Sequence, residues 1–153
     1  MAWQETLKER QALAFATTTT INSGGTASLS TGGINMGTGP RRARAFFLLG
    51  TLTGAAAVTI QLMASDAVLG TYSAITNNTT NPTVTGVTTD DSLNCIEIRA
   101  DQMPAGKPFL KAIATETGAA NAVVTILLVG DESQYKPGSE FNNATITNNV
   151  VTA

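Results

Sequence analysis

Arg44-Ala-Phe-Phe-Leu-Leu-Gly-Thr-Leu-Thr-Gly-Ala-Ala-Ala-Val-Thr-Ile-Gln-Leu-Met-Ala-Ser65 carries no charge after its first residue, and Arg41 and Arg42 sit just upstream. A charge-free run with a basic flank resembles a short transmembrane helix. The same residues also read as two buried strands. Phe46–Thr51 is a short apolar run interrupted at Gly50, Thr53-Gly54-Ala55 is turn-like, and Val58–Leu62 alternates apolar and polar with period two. Thr51, Thr53, Thr59, the two glycines and Gln61 dilute the membrane signal. Successive β-branched Val58, Thr59 and Ile60 suit a strand better than a helix. The stretch is therefore expected to be a hairpin at the centre of an all-β fold, and no membrane contact is expected.

The totals agree with that reading. A chain of 153 residues fits one domain. At this size about 70% of the unfolded chain's surface can be buried, so the core needs no disulfide or metal. Charged residues make up 13%, while Gly, Thr, Asn and Ala are abundant. That composition suits short strands joined by Gly- and Asn-rich turns, and it is not the charge-rich make-up of a disordered chain. The net charge is −2 and no basic block exceeds Arg41–Arg44, so nucleic acid is not an expected partner. Met1–Arg10 holds Glu5, Lys8, Glu9 and Arg10 and no apolar run, unlike a secretory leader. With one cysteine, Cys95, no internal disulfide can form, and folding in a reducing cytoplasm is expected. The Asn-x-Thr matches at Asn77, Asn78 and Asn143 then carry no weight, since a Thr/Asn-rich chain generates them by chance.

Taken in order, residues 1–14 are rich in helix formers, with Trp3 and Leu7 four apart. They form either a short helix or an arm ordered by a partner. Trp3 either caps the core or anchors in a neighbour's pocket. Phe15–Ile21 reads as a Thr-rich edge strand. Residues 22–40 are dominated by Gly, Ser and Thr and are expected to be a long loop over the surface or reaching a neighbour, with Leu29, Ile34 and Met36 as its apolar contacts. Strands are expected at Thr71–Ile75, Thr83–Val87, Leu93–Ala100, Phe109–Glu116 and Ala122–Val129. The turns lie at Thr76–Pro82, Asp90–Ser92, Asp101–Pro108 and Thr117–Asn121.

In Leu93–Ala100 the alternation turns Ile96 and Ile98 to the core. Leu93, Cys95, Glu97 and Arg99 take the other face, where Glu97 and Arg99 are expected to pair. Ala122–Val129 is apolar on both faces, so it is expected to be central or covered at a subunit contact. The tail 139–153 has no charge after Glu140. Its Phe141, Ile146, Val150 and Val151 would make a sticky edge, so an arm adding a strand to a neighbour is one reading and plain disorder the other. The expected fold class is an all-β antiparallel sandwich, jelly-roll-like, as a single domain over 15–138 with extended arms at 1–14 and 139–153.

The chain offers little for catalysis. It has no histidine, which removes Ser–His–Asp triads, His-bound metals and His acid–base chemistry. Cys95 is expected to be a core or near-core filler rather than a nucleophile. Asp66, Asp90, Asp91, Asp101, Asp131 and Glu132 lie mostly in turns, where their ordinary role is turn chemistry. No Ca²⁺-loop signature surrounds Asp90-Asp91 or Asp131-Glu132, and the Gly24-Gly25 and Gly32-Gly33 pairs lack the Lys-Ser/Thr of a phosphate loop. No catalytic residue, cofactor or metal is expected, and an aromatic content of 5% argues against a glycan-stacking face.

A Val58-Thr-Ile-Gln-Leu62 strand, an Ile96-Glu-Ile-Arg99 strand, a Pro/Gly-Lys turn into Phe109, and an apolar strand ending Gly130-Asp-Glu-Ser-Gln-Tyr-Lys-Pro137 together resemble small β-sandwich structural proteins of tailed bacteriophages, of the head-decoration or cement type. The resemblance spans about Phe46–Pro137 and rests on turns and strands rather than a catalytic fingerprint. It implies a non-enzymatic protein of the virion, assembled in the host cytoplasm and seated on the capsid surface. Its partners would be the major capsid protein and copies of itself, with a trimeric ring as the expected oligomer, burying Ala122–Val129. The alternative from another class is a receptor- or glycan-binding module of a tail or fibre.

Overall fold

The computed structural model describes residues 12–22, 28–76, 82–118 and 120–133. Within them the chain forms β1 (Ala12–Asn22), β2 (Ser28–Ser30), β3 (Ile34–Asn35), β4 (Pro40–Leu52), β5 (Val58–Ser65), β6 (Ser73–Ala74), β7 (Thr83–Val87), β8 (Ser92–Arg99), β9 (Phe109–Glu116) and β10 (Asn121–Ser133). A single 3-10 turn, Ala100–Gln102, follows β8. No helix among the described residues is long and apolar enough to cross a membrane, and Ala45–Ser65 lies mainly in β4 and β5.

The strands make two antiparallel sheets. Sheet A has the order β1-β10-β4-β8. In sheet B, β9 and β5 are the central pair. The β2 and β3 segments share the free side of β9, and β6 and β7 share the free side of β5. Counting each split edge as one strand, the chain alternates between layers in the order of a jelly roll. The expected all-β sandwich is thus the observed architecture.

Period-two patterning builds the core between the layers. Ala43, Ala45, Phe47 and Leu49 of β4 turn inward, as do Val58, Ile60, Leu62 and Ala64 of β5. They meet Ile96 and Ile98 of β8, Leu110, Ala112 and Ala114 of β9, and Ala122, Val124, Ile126 and Leu128 of β10 in one buried cluster. Ala122–Val129 is central in its sheet, between β1 and β4, and its inner face is covered by sheet B across the core.

The expected hairpin across Thr53–Ala57 is not formed. β4 belongs to sheet A and β5 to sheet B, and the connector arches from one layer to the other. A connector of that length can close either a hairpin or an arch. The inward faces decide: both strands carry an unbroken apolar row, and an arch sets those rows against each other across the core. The connector from β9 to β10, of which residues 117, 118 and 120 are described, is a second arch alongside the first. The two are tied backbone to backbone, Thr53 N–H donating to Asn121 O (2.9 Å) and Thr117 N–H to Ala57 O (2.8 Å). Gly54 supplies the left-handed residue of the first arch, at φ +62°.

Glu116, 2% exposed at the end of β9, accepts the Gly118 N–H at 2.5 Å and so fixes the start of the second arch. Glu116→Ala leaves that N–H without its acceptor. A loss of about 2 kcal/mol is expected, read from urea unfolding.

Of the stretch 22–40, expected as a loop, residues 23–27 lie outside the described residues, while β2 and β3 contribute the edge of sheet B. Thr31 bridges β2 and β3, its N–H donating to Ala112 O (3.0 Å) and its hydroxyl accepting from Ala112 N–H (3.1 Å). Met36 N–H continues to Pro108 O (2.8 Å). Glycine content suggested a loop; the two short period-two pieces either side of Gly32-Gly33 make an interrupted edge strand instead.

Candidate interaction face

The same alternation that fills the core leaves the other row of each strand on the outside of sheet A. β4 presents Arg42, Arg44, Phe46 and Leu48 there, β8 presents Leu93, Cys95, Glu97 and Arg99, and β10 presents Thr125, Leu127, Val129 and Asp131. Register sets them in cross-strand rows. Leu127, Phe46 and Cys95 lie side by side; Thr125, Leu48 and Leu93 form the next row; Val129, Arg44 and Glu97 the one on the other side. Leu48 is 48% exposed and Leu93 65%. The outer face of sheet A thus carries an apolar field, exposed mainly at Leu48 and Leu93 and bordered by charge.

The charged border is a set of ion pairs. Glu97 takes Arg44 Nε on Oε2 (2.7 Å) and Arg42 Nε near Oε1 (3.3 Å), and Arg44 Nη1 also reaches Asp131 Oδ2 (3.7 Å). The hydrogen bond to Glu97, then the charges of Asp131 and Glu97, hold the Arg44 pKa above its ordinary value. Arg99 pairs with Asp101 (2.7 Å). The expected Glu97–Arg99 pair is therefore replaced by two others. Residues two apart on one strand are separated by about 7 Å, whereas Arg44 lies directly opposite Glu97 on the neighbouring strand. Beside this border a shallow cleft of about 590 Å³ opens among Met36, Gly37, Arg41, Arg42, Arg99, Ala100 and Asp101.

Sequence reasoning missed other exposed positions. Cys95 is exposed on this face rather than filling the core, because β8 is the edge of its sheet and the cysteine sits on its outward row. Leu69, 95% exposed, tips the loop after β5. That loop is held by the Tyr72 hydroxyl donating to Val68 O (3.0 Å), with Lys111 Nζ 4.6 Å from the Tyr72 ring centre. Burial pushes the Tyr72 phenol pKa up. Gly33 passes directly beneath the Tyr72 hydroxyl, where a Cβ would collide.

Of the residues expected to contact partners, Ile34 and Met36 are buried and Leu29 packs partly buried against the core of its own chain. Trp3, Leu7, Phe141, Ile146, Val150 and Val151 lie outside the described residues, as do both terminal arms. The outward residues Phe46 and Leu48 of β4, and Leu127 and Val129 of β10, were the findable signal, since these parts of both strands are apolar on both faces.

Asp90 Oδ1 accepts the Leu52 N–H (2.9 Å), which is turn chemistry. Among the described residues no group of three His, Cys, Asp or Glu side chains is placed to hold a metal ion. The chain matches no protein-family model, and a search of curated proteins returns no match.

Proposed function

We propose that this chain is a non-enzymatic structural protein of a phage virion that decorates and stabilises the capsid, gripping major capsid subunits and copies of itself. The observation that carries the reading is the outer face of sheet A, a broad apolar field bordered by Arg42, Arg44, Glu97 and Asp131. Such a face suits repeated protein–protein contact, and many modest contacts on a lattice act together as a tight one. The jelly-roll order is compatible with capsid-associated proteins, and also with lectins, so the fold alone does not choose. Against a glycan site, the Tyr72 ring already carries Lys111 over it.

Cosedimentation with purified shells tests the proposal. Binding to expanded shells and not to procapsids is expected; binding to host cells or glycans instead would assign a receptor module. The tail, uncharged after Glu140, is proposed to reach a neighbouring subunit. Deleting residues 139–153 is therefore expected to weaken shell attachment at least tenfold with an unchanged unfolding midpoint, and undiminished attachment would remove the arm from the proposal.

A further inference from the structure

We infer that β8 is a homotypic interface: two copies of this chain pair their β8 edges antiparallel about a two-fold axis through Cys95, fusing their A sheets into one. This specifies the self-contact in the function proposed above. It rests on the β8 edge and not on shell attachment, so a chain that fails to bind shells leaves it intact.

The argument begins with how the other edges are closed off. Sheet B ends in short pieces, β2 and β3 on one side and β6 and β7 on the other, of 3, 2, 2 and 5 residues. β1, the far edge of sheet A, has its register broken between Ala16 and Thr19. Short strands and bulges are the ordinary means of preventing edge-to-edge association. β8 has neither. It runs 8 residues in unbroken register with β4, and among the described residues no strand pairs with its other side.

The direction of its backbone groups follows from the ladder. Asp91 N–H donates to Gly50 O (3.4 Å), and antiparallel pairs alternate. Leu93, Cys95 and Glu97 therefore turn their N–H and C=O toward β4, while Ser92, Asn94, Ile96 and Ile98 turn theirs outward.

Charge then selects the register. A two-fold pairing must set outward-turned residues against one another, which places the axis at Asn94, Cys95 or Ile96. Centred on Asn94, Glu97 would oppose the second copy's Asp91. Centred on Ile96, Arg99 would oppose the second copy's Leu93 and Glu97 its Cys95, so neither charge gains a partner. Centred on Cys95, Arg99 at each end of the ladder faces the second copy's Asp91, the left-handed turn residue (φ +49°) just before β8, and no like charges meet. Arg99 is free to turn there, since its pair with Asp101 is exposed, with side chains 61% and 64% accessible. In this register the two Cys95 residues form a non-hydrogen-bonded pair with Cα atoms about 4.5 Å apart, within the disulfide range of about 4.4–6.8 Å.

The test uses the full chain. Sedimentation equilibrium is expected to show a reversible dimer, and diamide oxidation to convert it to a covalent dimer on a non-reducing gel. With one cysteine per chain, that link can only be Cys95 to Cys95. Cys95→Ser should abolish the link and keep the dimer. Asn94→Pro removes an outward N–H without touching the β4 ladder and should raise the dimer dissociation constant about 100-fold. Arg99→Glu should raise it about tenfold, and decides the matter if the proline variant does not fold. A monomer at all concentrations, a dimer that does not cross-link, or a dimer indifferent to both substitutions overturns the inference. A tail strand from a neighbour occupying the edge would give the second of these results.

Discussion

Gly118→Ala is expected to destabilise the protein by about 3 kcal/mol, lowering the thermal midpoint by about 10 °C at this chain length. The two arches that carry the chain between sheets lie against each other at Gly118. A Cβ there would strike the Ala55 carbonyl oxygen and the Ala57 amide nitrogen. Neither is the end of a side chain that can swing aside. The first arch is pinned at both ends, Thr53 to Asn121 and Ala57 to Thr117, so relief requires both sheets to separate locally. The cost is a large share of a marginal total stability of about 5–15 kcal/mol. Gly32→Ala is the matched control, since a Cβ there meets nothing within 4 Å and the backbone is not left-handed. It is expected to change stability by under about 0.5 kcal/mol. Circular dichroism melts of the two variants check both values, and a harmless Gly118→Ala would mean that the arches do not stack.

The arches leave no local mark in the sequence. Periodicity located the strands from Val58 onward well and assigned the faces of β8, because inside and outside alternate residue by residue and leave a local trace. Pairing leaves no such trace. β4 and β5 are separated by a connector that would serve a hairpin equally well, and their true partners, β10 and β9, are far away in the chain. The Glu97 error has the same origin: its partner Arg44 lies 53 residues away, and only the register brings them together. Residues 28–36 failed for a different reason. The glycines mask the Ile34-Asn35-Met36 alternation beside them, and the side chain of Thr31 substitutes for ladder geometry in a way no propensity encodes. The outer face of sheet A was half legible. The doubly apolar character of Ala122–Val129 was visible, but that Leu48 lies beside it and Leu93 one strand beyond depends on strand order.

That face is where the second large effect is expected. Leu48→Asp should reduce attachment to expanded shells at least 100-fold while shifting the unfolding midpoint by no more than about 2 °C. Leu48 points away from the core, is 48% exposed, and has Thr125 and Leu93 as its cross-strand neighbours. The free chain can therefore solvate an aspartate there at little cost. In a covered interface the same carboxylate loses its water with no cation opposite it in the row, and burying an unpaired charge is costly. Because attachment sums over many copies on a lattice, a modest loss at each contact multiplies into a large loss of occupancy. Val84→Asp places the same charge at a site 45% exposed on sheet B. If sheet A meets the shell, only Leu48→Asp abolishes attachment. Equal losses would reduce the effect to net charge, and full attachment by both variants would take the apolar face out of the shell contact and leave the arms to carry it.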